Sequence, residues 1–329
     1  MTAEAVVTPT LRLMAGSDAA ETPVVDVAIV TWNTRETTLK AIESLLAAAP
    51  AGMRVLIRDN ASSDGTAEAI SAAYPQVELD AGDRNLGFAG GVNTILRRST
   101  APWVLLLNPD AWPDAGAIER LLECAGRHPR AAAVAPKLLR PDDRLEPSAW
   151  PFPSLSVTLA SAVRRDRNIW PHDAERRVDW AVGAAWLIRR QALEAIGLLD
   201  ESLFMYAEDL EWCWRARDTG WEIWFTPDAV VRHIGNVSGA QRFGERQPAA
   251  WIANSVLVYR RRHGRLSAYL WRNANAVSAA LHARRARRSG DAAGAEQLCR
   301  QRAAWRRPDG ATDDATEGTT DGATDGITA

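Results

Sequence analysis

The chain has 329 residues, of which 47% are hydrophobic and 24% are charged, with a formal net charge of -2. This length and composition allow a large buried core and exclude a protein that is disordered throughout. No uncharged apolar run of about 18 residues occurs, and no basic N-terminal region precedes an apolar stretch, so neither a membrane-spanning helix nor a secretory signal is predicted. We therefore expect a cytoplasmic protein in which Cys124, Cys213 and Cys299 stay reduced.

Charge is distributed unevenly along the C-terminal part of the chain. Thirteen Arg residues and only two acids lie between Arg260 and Arg307, whereas six acids and no basic residues lie from Pro308 onward. The last segment repeats Gly, Ala, Thr and Asp and is too polar to fold alone. We predict a disordered N-terminus (1–23), an α/β domain (24–240, with halves 24–135 and 136–240), a basic helical extension (241–307) and a disordered acidic tail (308–329).

Strands alternate with helices in the first half of the α/β domain. The apolar segments VVDVAIVT, RVLIRD and WVLLL predict buried strands, and the last two end at Asp59 and just before Asn108. Helices are predicted after TWNTRE, after Ser62-Ser63-Asp64-Gly65 and through NLGFAGGVNTIL. Such alternation indicates a mostly parallel sheet that binds ligands where the carboxyl ends of its strands open onto loops.

The second half of the domain is less regular. Four prolines after Pro136 predict a long irregular connection, which is a place for an acceptor pocket. VDWAVGAAWLIRR predicts one strand, QALEAIG a helix ended by Gly197, and MYAEDLEWCWRARDTG a helix ended by Gly220. WEIWFTP and AVVRH predict two more strands. The remainder is helical in character, with breaks near Gly264 and Ser289-Gly290.

Seven short motifs occur in a recognisable order: TWNTRE, RDNASSDGT, NLGFAGGVN, LLLNPD, GAAWLIRR, MYAEDLEWCWRARDTGW and RHIG. Together they resemble glycosyltransferase family 2, particularly its branch of bacterial rhamnosyltransferases, over about 25–238. Each motif alone is weak evidence, but their common order is not. The resemblance implies a GT-A fold, with a Rossmann-like, mostly parallel central sheet flanked by helices, followed here by a helical C-terminal extension.

The resemblance places the first two motifs against a nucleotide-sugar donor. Asp59 matches the residue that accepts the N3–H of uracil or thymine, although an Asp capping the turn through Asn60 explains the same sequence. Trp32 matches an aromatic residue that stacks on the base, with a packed loop Trp as the alternative. Thr31 and Asn33, in the same loop, are included in the predicted donor site.

The Gly-rich segment does not form the GxGxxG pattern of nicotinamide-binding proteins. The resemblance places Gly87 and Gly91 beneath the donor, where small residues permit close approach of the backbone. Asn85 and Asn93 flank the segment as predicted hydrogen-bonding groups. A tight turn for helix packing explains the glycines equally well.

Asn108-Pro109-Asp110 resembles the Asp-x-Asp metal motif, with Asn in place of the first Asp. Asp110 is then an anionic ligand, and His233 matches a downstream His ligand of the family. A divalent ion there would neutralise the diphosphate leaving group. The ligand set leaves Mn²⁺ and Mg²⁺ both open as the cofactor. A strand-end His is also commonly structural.

Glu208-Asp209 opens a predicted helix, where acidic residues also serve as caps. The resemblance makes Asp209 the base that removes the acceptor hydroxyl proton, with Glu208 as the alternative. Trp212 and Arg215 lie one and nearly two turns further along and are predicted to shape the acceptor side.

These features predict a metal-dependent, inverting transfer of a sugar from a dTDP- or UDP-sugar to an acceptor hydroxyl in cell-envelope polysaccharide or glycolipid synthesis. The resemblance suggests rhamnose as the sugar and a polyprenyl-diphosphate-linked acceptor. A nucleotide-sugar-binding protein without transfer activity and an enzyme with a soluble acceptor are the alternatives. The Arg-rich extension predicts peripheral binding to the anionic inner face of the cell membrane, or a helix with a solvated Arg face. No nucleic-acid-binding motif accompanies the Arg residues, so nucleic acid is not an expected partner.

Overall fold

The structure, a computed structural model, describes residues 24–48, 52–163, 170–235, 243–244 and 247–307. The predicted disordered segments 1–23 and 308–329 lie outside the described residues. The strands are β1 Val25–Thr31, β2 Met53–Asp59, β3 Glu78–Ala81, β4 Trp103–Leu107, β5 Ala111–Pro113, β6 Ala131–Leu139, β7 Leu145–Glu146, β8 Ala149–Trp150, β9 Arg176–Val178, β10 Trp180–Ala181, β11 Ala185–Arg189 and β12 Glu222–His233.

The helices flank the sheet and continue beyond it at the C-terminus. They are α1 Arg35–Ala47, α2 Thr66–Ala73, α3 Gly87–Arg98, α4 Ala117–Arg127, α5 Leu155–Val163, α6 Arg190–Ile196, α7 Glu208–Asp218, α8 Gln247–Arg288 and α9 Ala292–Arg306. Gly197 and Gly220 have φ of 89° and 81°, so the predicted glycine stops after α6 and α7 are confirmed. No helix in the described ranges is both long and apolar enough to cross a membrane.

The central sheet has the strand order β3-β2-β1-β4-β11-β6-β12-β5. Strands β3, β2, β1 and β4 are parallel, and β6 pairs with β12 in parallel, whereas β11 and β5 run antiparallel to their neighbours. The predicted mostly parallel α/β architecture is therefore confirmed. Because β1 pairs with both β2 and β4, the ends of these three strands meet at one edge of the sheet, where open α/β sheets bind ligands.

Two strand predictions from the second half are wrong in detail. VDWAVGAAWLIRR forms three short strands, because β9 pairs with β12, β10 pairs with β8 in a separate two-stranded sheet, and only β11 joins the centre. The two strands predicted on either side of Pro227 are instead the single strand β12. Its pairing with β6 shifts register between Thr226 and Val230, which accommodates a proline that cannot donate a ladder hydrogen bond.

The core lies on both faces of the sheet. Strand β1 is buried along its whole length, with Val25, Val27 and Ile29 in one apolar cluster and Ala28 and Val30 in the other. The first cluster packs beneath α1, α2 and α4, and the second beneath α3, α6 and α7. A strand covered on both faces reads as a continuous apolar run, as VVDVAIVT does.

The C-terminal helices join the second apolar cluster through contacts with α5 and α7. Helix α8 is interrupted at Gly264, whose φ of 81° and ψ of 169° are not helical, and this confirms the predicted break. Tyr259 stacks on Trp271 at 4.4 Å between ring centroids, and Trp271 meets Trp305 of α9 edge-on at 5.1 Å. Tyr259 also contacts Trp214 of α7 at 6.4 Å, so aromatic rings connect the extension to the domain.

Candidate active site

A cavity of about 490 Å³ opens at the carboxyl ends of β1, β2 and β4. Its lining residues come from strand ends and loops of the α/β domain and from α8 and α9. Nine residues predicted from the sequence line it: Thr31, Trp32, Asn85, Gly87, Asn108, Asp110, Glu208, Asp209 and His233. The structure therefore brings the predicted base and the predicted metal ligands to one cavity.

Glu208 and Asp209 begin α7 at the cavity wall. One Asp209 oxygen accepts a hydrogen bond from the Gly183 amide at 3.2 Å, and the other accepts from the Leu210 amide at 2.7 Å. Burial raises the pKa of Asp209 to about 6, even though these amides favour its charged form. Burial, followed by the charge of Asp209, raises the pKa of Glu208 well above its usual value. Asp209 is therefore the member of the pair that is ionised at neutral pH.

Asp110, His233 and Glu146 form a buried polar cluster. His233 Nε2 lies 3.3 Å from Asp110 Oδ1, and His233 Nδ1 lies 3.2 Å from Glu146 Oε2. Burial lowers the pKa of His233, but its hydrogen bonds to the two carboxylates outweigh this and raise the pKa to about 9. Among the described residues, the side-chain oxygen of Asn108 has no hydrogen-bond partner, and it lies in the same cluster.

This cluster fits a divalent cation. Two ligands of one octahedral ion with bonds near 2.1 Å are about 3 Å apart, close to the separation of Asp110 Oδ1 and His233 Nε2. The unpartnered Asn108 oxygen supplies a further hard donor. Glu146 accepts from the other ring nitrogen of His233, which is the usual arrangement behind a metal-binding His.

Strand pairing brings this cluster together. In the β5–β12 pair, His233 lies opposite Ala111, the residue after Asp110, and the Ile234 amide donates to the Asp110 carbonyl at 3.1 Å. Strand β6 lies between β12 and β7, and Glu146 is the last residue of β7. The cluster therefore depends on the register of short strands that are distant in sequence.

The loop after β2 uses Asp59 to hold its own turn. Asp59 is 2% exposed, and its carboxylate accepts hydrogen bonds from the Ser62 amide at 2.8 Å and the Ser62 hydroxyl at 2.5 Å. Asn33 joins the loops after β1 and β2, because its amide donates to Ser62 and its side chain accepts from the Ser63 amide. Asp59 and Asn33 are not among the residues that line the cavity, and the contacts of Asp59 are those of a turn-capping residue.

The two predicted glycines have different neighbours. A Cβ on Gly87 would lie 2.3 Å from the Phe204 carbonyl, which accepts a hydrogen bond from the Phe88 amide. Gly87 therefore permits the loop before α7 to approach the start of α3. A Cβ on Gly91 would lie 2.7 Å from Val30, so Gly91 packs α3 on β1 behind the cavity. The contact with Val30 is one of helix packing, which is the alternative explanation that the sequence allowed for the glycines.

Three further predicted residues point to partners away from the cavity. The Asn93 side chain donates to the Leu199 carbonyl and accepts from the Leu199 amide, which fixes the loop after α6. Trp212 is fully buried and donates to the Gly197 carbonyl at 2.9 Å. Arg215 pairs with Glu211 and donates to two carbonyls of the same loop. The polar groups of all three side chains are therefore paired within the protein, and each of them holds the loop after α6, next to the start of α7.

Several residues of the cavity were not predicted from the sequence. Asn60 donates to the Gly87 carbonyl at 2.9 Å and could have been selected from its position after β2. No local pattern marks the others, which the fold brings to the cavity from separate segments: Phe88, Glu146, Pro147, Trp150, Trp180, Gly183, Phe204, Trp251, Gln297 and Gln301.

Comparison with known proteins identifies the family to which this cavity and fold belong. The model of the family described as glycosyl transferase family 2 matches residues 26–197, which is more than half of the chain. The chain belongs to glycosyl transferase family 2. It is 34% identical over 255 residues to an N-acetylglucosaminyl-diphospho-decaprenol L-rhamnosyltransferase from Mycobacterium tuberculosis (strain ATCC 25618 / H37Rv), covering 70% of this chain and 81% of that protein.

More distant similarities support the family and the fold. A pre-mycofactocin glycosyltransferase of the same organism is 28% identical over 185 residues, which is 55% of this chain and 37% of that protein. A solved structure of the mannosyltransferase PcManGT from Pyrobaculum calidifontis has a TM-score of 0.56 at 19% identity and covers 87% of this chain and 86% of that chain. This family 2 glycosyltransferase has the predicted GT-A fold, followed by helices α8 and α9.

Proposed function

We propose that the enzyme transfers a sugar, with inversion, from a dTDP- or UDP-sugar to an acceptor hydroxyl with Asp209 as the base. The observation that carries the proposal is the arrangement of Asp209 and the Asp110–His233 cluster around one cavity. Two adjacent residues link them, because Gly183 donates to Asp209 and the Ala184 carbonyl accepts from the Asn108 amide at 2.9 Å. A protein that only bound nucleotide sugars would not need the base.

The proposed chemistry is a single displacement. The acceptor oxygen attacks the anomeric carbon from the face opposite the diphosphate and forms the new glycosidic bond. The bond from the anomeric carbon to the phosphate oxygen breaks, so nucleoside diphosphate leaves and the configuration inverts. Asp209 takes the hydroxyl proton, a role that suits a carboxylate with a pKa of about 6 because it is ionised yet still basic.

Asp110, His233 and Asn108 are proposed to hold a divalent cation, Mn²⁺ or Mg²⁺, with Glu146 orienting the His233 ring. When bound, such an ion neutralises the negative charge that develops on the leaving diphosphate. Support comes from the donor set and from two structures of similar fold, PcManGT with GDP-Man and Mn²⁺ and GalNAc-T7 with UDP, GalNAc and Mn²⁺.

Asp59 and Trp32 are proposed to recognise the base of the nucleotide. Although Asp59 accepts two hydrogen bonds from Ser62, a carboxylate has about four lone-pair positions, so it can still accept the N3–H of uracil or thymine. Trp32 lines the cavity at the end of β1 and offers a ring for stacking. Asn85 and Gly87, which were also predicted to bind the donor, line the same cavity.

The name of the Mycobacterium tuberculosis relative suggests the donor sugar and the acceptor. That protein is an L-rhamnosyltransferase that acts on N-acetylglucosaminyl-diphospho-decaprenol. We extend both features to this chain and propose dTDP-rhamnose as donor and a polyprenyl-diphosphate-linked sugar as acceptor, in assembly of a cell-envelope polysaccharide or glycolipid.

The test is a transfer assay with dTDP-rhamnose, UDP-sugars and a short-chain prenyl-diphospho-N-acetylglucosamine in the presence of Mn²⁺. We expect acceptor-dependent release of nucleoside diphosphate and a glycosylated product of inverted configuration. Release of pyrophosphate would instead indicate a nucleotidyltransferase. Donor binding without product, across all acceptors, would support the binding-protein alternative.

We further propose that the exposed face of α8 after Gly264 binds an anionic membrane surface. Leu266 is 72% exposed, Tyr269 57% and Val277 59%, with Leu270 between them. Residues at these spacings lie on one side of a helix, and Arg residues border them, as an interfacial helix requires.

The arginines of the extension divide into two groups. Before Gly264, Arg261 pairs with Asp200 and Arg262 pairs with Asp218, so these charges attach α8 to the catalytic domain. After Gly264, Arg284 and Arg288 are exposed in the last turns of α8. Each cation near an anionic leaflet contributes about 1 kcal/mol of binding free energy, and high salt weakens this attraction.

Flotation with vesicles of phosphatidylcholine and phosphatidylglycerol tests the membrane proposal. We expect binding at low salt that falls at high salt, and a loss of binding in the Arg284→Ala/Arg288→Ala variant and in Leu266→Asp. The control is Arg120→Ala, since Arg120 is an exposed arginine of α4 outside the proposed surface. If the wild-type protein does not float at low salt, the helix has only a solvated Arg face and a soluble acceptor becomes preferable.

A further inference from the structure

Part of the cavity is formed by residues beyond 197, where the match to the family model ends. Trp251 of α8 and Gln297 and Gln301 of α9 line the same cavity as Asp209. Trp150 and Trp180, from the two-stranded β8–β10 sheet, also line it. These five residues, which we name the Trp–Gln wall, are all uncharged, in contrast to the Asp110–His233 cluster.

The aromatic members of the Trp–Gln wall are held in fixed positions by packing. Trp150 and Trp180 lie opposite each other in the β8–β10 pair, and their rings stack at 4.8 Å with an angle of 23°. Trp180 also donates to the Pro151 carbonyl at 3.2 Å. Trp251 is 39% exposed, although it meets Trp305 edge-on at 6.4 Å. A large apolar ring held half-open beside a cavity is suited to ligand contact.

The amide members are brought to the cavity by the same packing. Gln297, Gln301 and Trp305 are spaced four residues apart on α9 and therefore lie along one side of the helix. Trp305 lies between Trp251 and Trp271 of α8, so the contact that positions Trp251 also positions α9. A Gln side chain offers both donors and an acceptor, which matches hydroxyl groups without requiring a charge.

The chain also connects this wall to the proposed base. The Asn254 side chain, one turn after Trp251, donates to the Met205 carbonyl at 2.8 Å and the Tyr206 carbonyl at 3.2 Å. These carbonyls belong to the loop that leads into Asp209. A ligand that contacts Trp251 therefore binds next to a residue, Asn254, that is hydrogen-bonded to the loop leading into Asp209.

We propose that the Trp–Gln wall is the acceptor subsite and binds the neutral sugar ring that carries the attacking hydroxyl. Flat rings suit the apolar face of a sugar, and the amides of Gln297 and Gln301 suit its hydroxyls. The absence of charge within the wall favours a neutral ring over the nucleoside diphosphate. This inference rests on the proposed glycosyl transfer, and it places acceptor recognition partly in the helical extension rather than only in residues 136–240.

Kinetics with the short-chain prenyl-diphospho-N-acetylglucosamine acceptor and dTDP-rhamnose test the assignment. We expect Trp251→Ala and Gln301→Ala each to raise the acceptor KM about tenfold, as loss of one good contact does, while the Kd for dTDP measured by calorimetry stays within about twofold. Trp251→Phe, which keeps a flat ring, should recover most of the affinity. Gln191→Ala is the matched control, since Gln191 is an exposed glutamine on α6 outside the cavity.

The outcomes separate this inference from the proposed function. If wild-type enzyme transfers sugar but both variants keep the wild-type acceptor KM, the subsite is elsewhere and the proposed function stands. A weaker Kd for dTDP with an unchanged acceptor KM would reassign the wall to the donor. If wild-type enzyme yields no transfer product, quenching of Trp fluorescence by octyl N-acetylglucosaminide decides, and lack of saturable quenching overturns the assignment.

Discussion

Replacement of Asp209 by Asn should affect the stability of the fold and the rate of sugar transfer in different ways. Burial raises the pKa of Asp209 from 3.8 to about 6, so the folded enzyme holds the ionised carboxylate at a cost in free energy. Asn removes the charge and the base together while keeping the shape of the side chain. The variant should therefore lose transfer while its stability relative to the wild type improves as the pH rises.

The size of the effect follows from the pKa shift. About two pKa units correspond to about 3 kcal/mol at 1.36 kcal/mol per unit, and because Asp209 is partly exposed to the cavity we expect about 1–2 kcal/mol. Because the pKa of Asp209 is higher in the folded than in the unfolded protein, the wild-type enzyme has this stability of about 1–2 kcal/mol in full below about pH 4 and loses it as the pH rises through about 6. Asn has one acceptor oxygen for the Gly183 and Leu210 amides, which costs the variant about 1 kcal/mol at every pH.

Urea unfolding of both proteins between pH 4 and 8 provides the assay. The difference in the free energy of unfolding should shift towards the variant by about 1–2 kcal/mol across that range. In the control Asp200→Asn the difference should be nearly constant between pH 4 and 8, because hydrogen bonds from Ser202 and the charge of Arg261 outweigh burial and lower the pKa of Asp200, so its contribution is lost only below about pH 4. For Asp209→Asn, a difference that does not vary with pH between 4 and 8 would refute the electrostatic reasoning.

Turnover measures the chemical half of the same prediction. Wild-type kcat should rise with pH through about 6 as Asp209 ionises, and Asp209→Asn should lower kcat by roughly 10² or more with donor binding nearly intact. If Glu208→Gln is instead the crippled variant, the base is Glu208.

Three further predictions concern the metal cluster, the base of the nucleotide and the fold. Chelation should abolish transfer, and Mn²⁺ or Mg²⁺ should restore it; full activity in excess chelator would contradict this. Glu146→Ala should weaken metal affinity by roughly 10–100-fold in a metal titration, because Glu146 orients the His233 ring. Asp59→Ala should raise the Kd for the donor far more than the acceptor KM, and equal changes in both would count against a base-reading role. Asp26→Asn should lower the free energy of unfolding by about 2–3 kcal/mol in denaturant melts at pH 7, because Asp26 accepts hydrogen bonds from Arg54, Ser99 and two backbone amides. Despite burial, these bonds lower the pKa of Asp26 to about 2, so its contribution is present above about pH 4 and is lost as the pH falls through 2; a variant as stable as the wild type would show that the contacts are weak.

Local sequence signals were sufficient for much of the fold. The strand ends at Asp59 and before Asn108, the glycine stops at Gly197 and Gly220, and the break at Gly264 follow from residues within a few positions of each feature. The strand predictions failed where pairing decides the structure. The segment around Gly183 is apolar enough for one strand, but the Gly183 amide donates to Asp209 instead of a neighbouring strand.

The parts of the site that the sequence did not predict depend on long-range contacts. Glu146, which was not predicted, accepts from His233 across 87 residues of sequence, and the predicted residue Asn93 binds Leu199, an unpredicted partner 106 residues away. Neither residue type nor spacing predicts such a contact. The Glu146–His233 contact arises from the order of β5, β12, β6 and β7 in the sheet, and the Asn93–Leu199 contact arises from the packing of α3. The sequence motifs therefore identified Asp110 and His233, which lie at or next to strand ends, but not Glu146, which accepts a hydrogen bond from His233.

The loop before α7 shows why the catalytic and C-terminal parts must be considered together. Tyr206 and Ala207 have φ of 76° and 67°, a left-handed conformation that costs non-glycine residues free energy and persists only where the surroundings enforce it. The surroundings here are Gly87, which admits the Phe204 carbonyl, and Asn254 of α8, which binds the carbonyls of Met205 and Tyr206. One support lies within the segment matched by the family model and the other lies outside it. Both supports hold the loop that leads into Asp209, and residues of α8 and α9 line the same cavity as Asp209, so the helical extension contributes to the candidate active site.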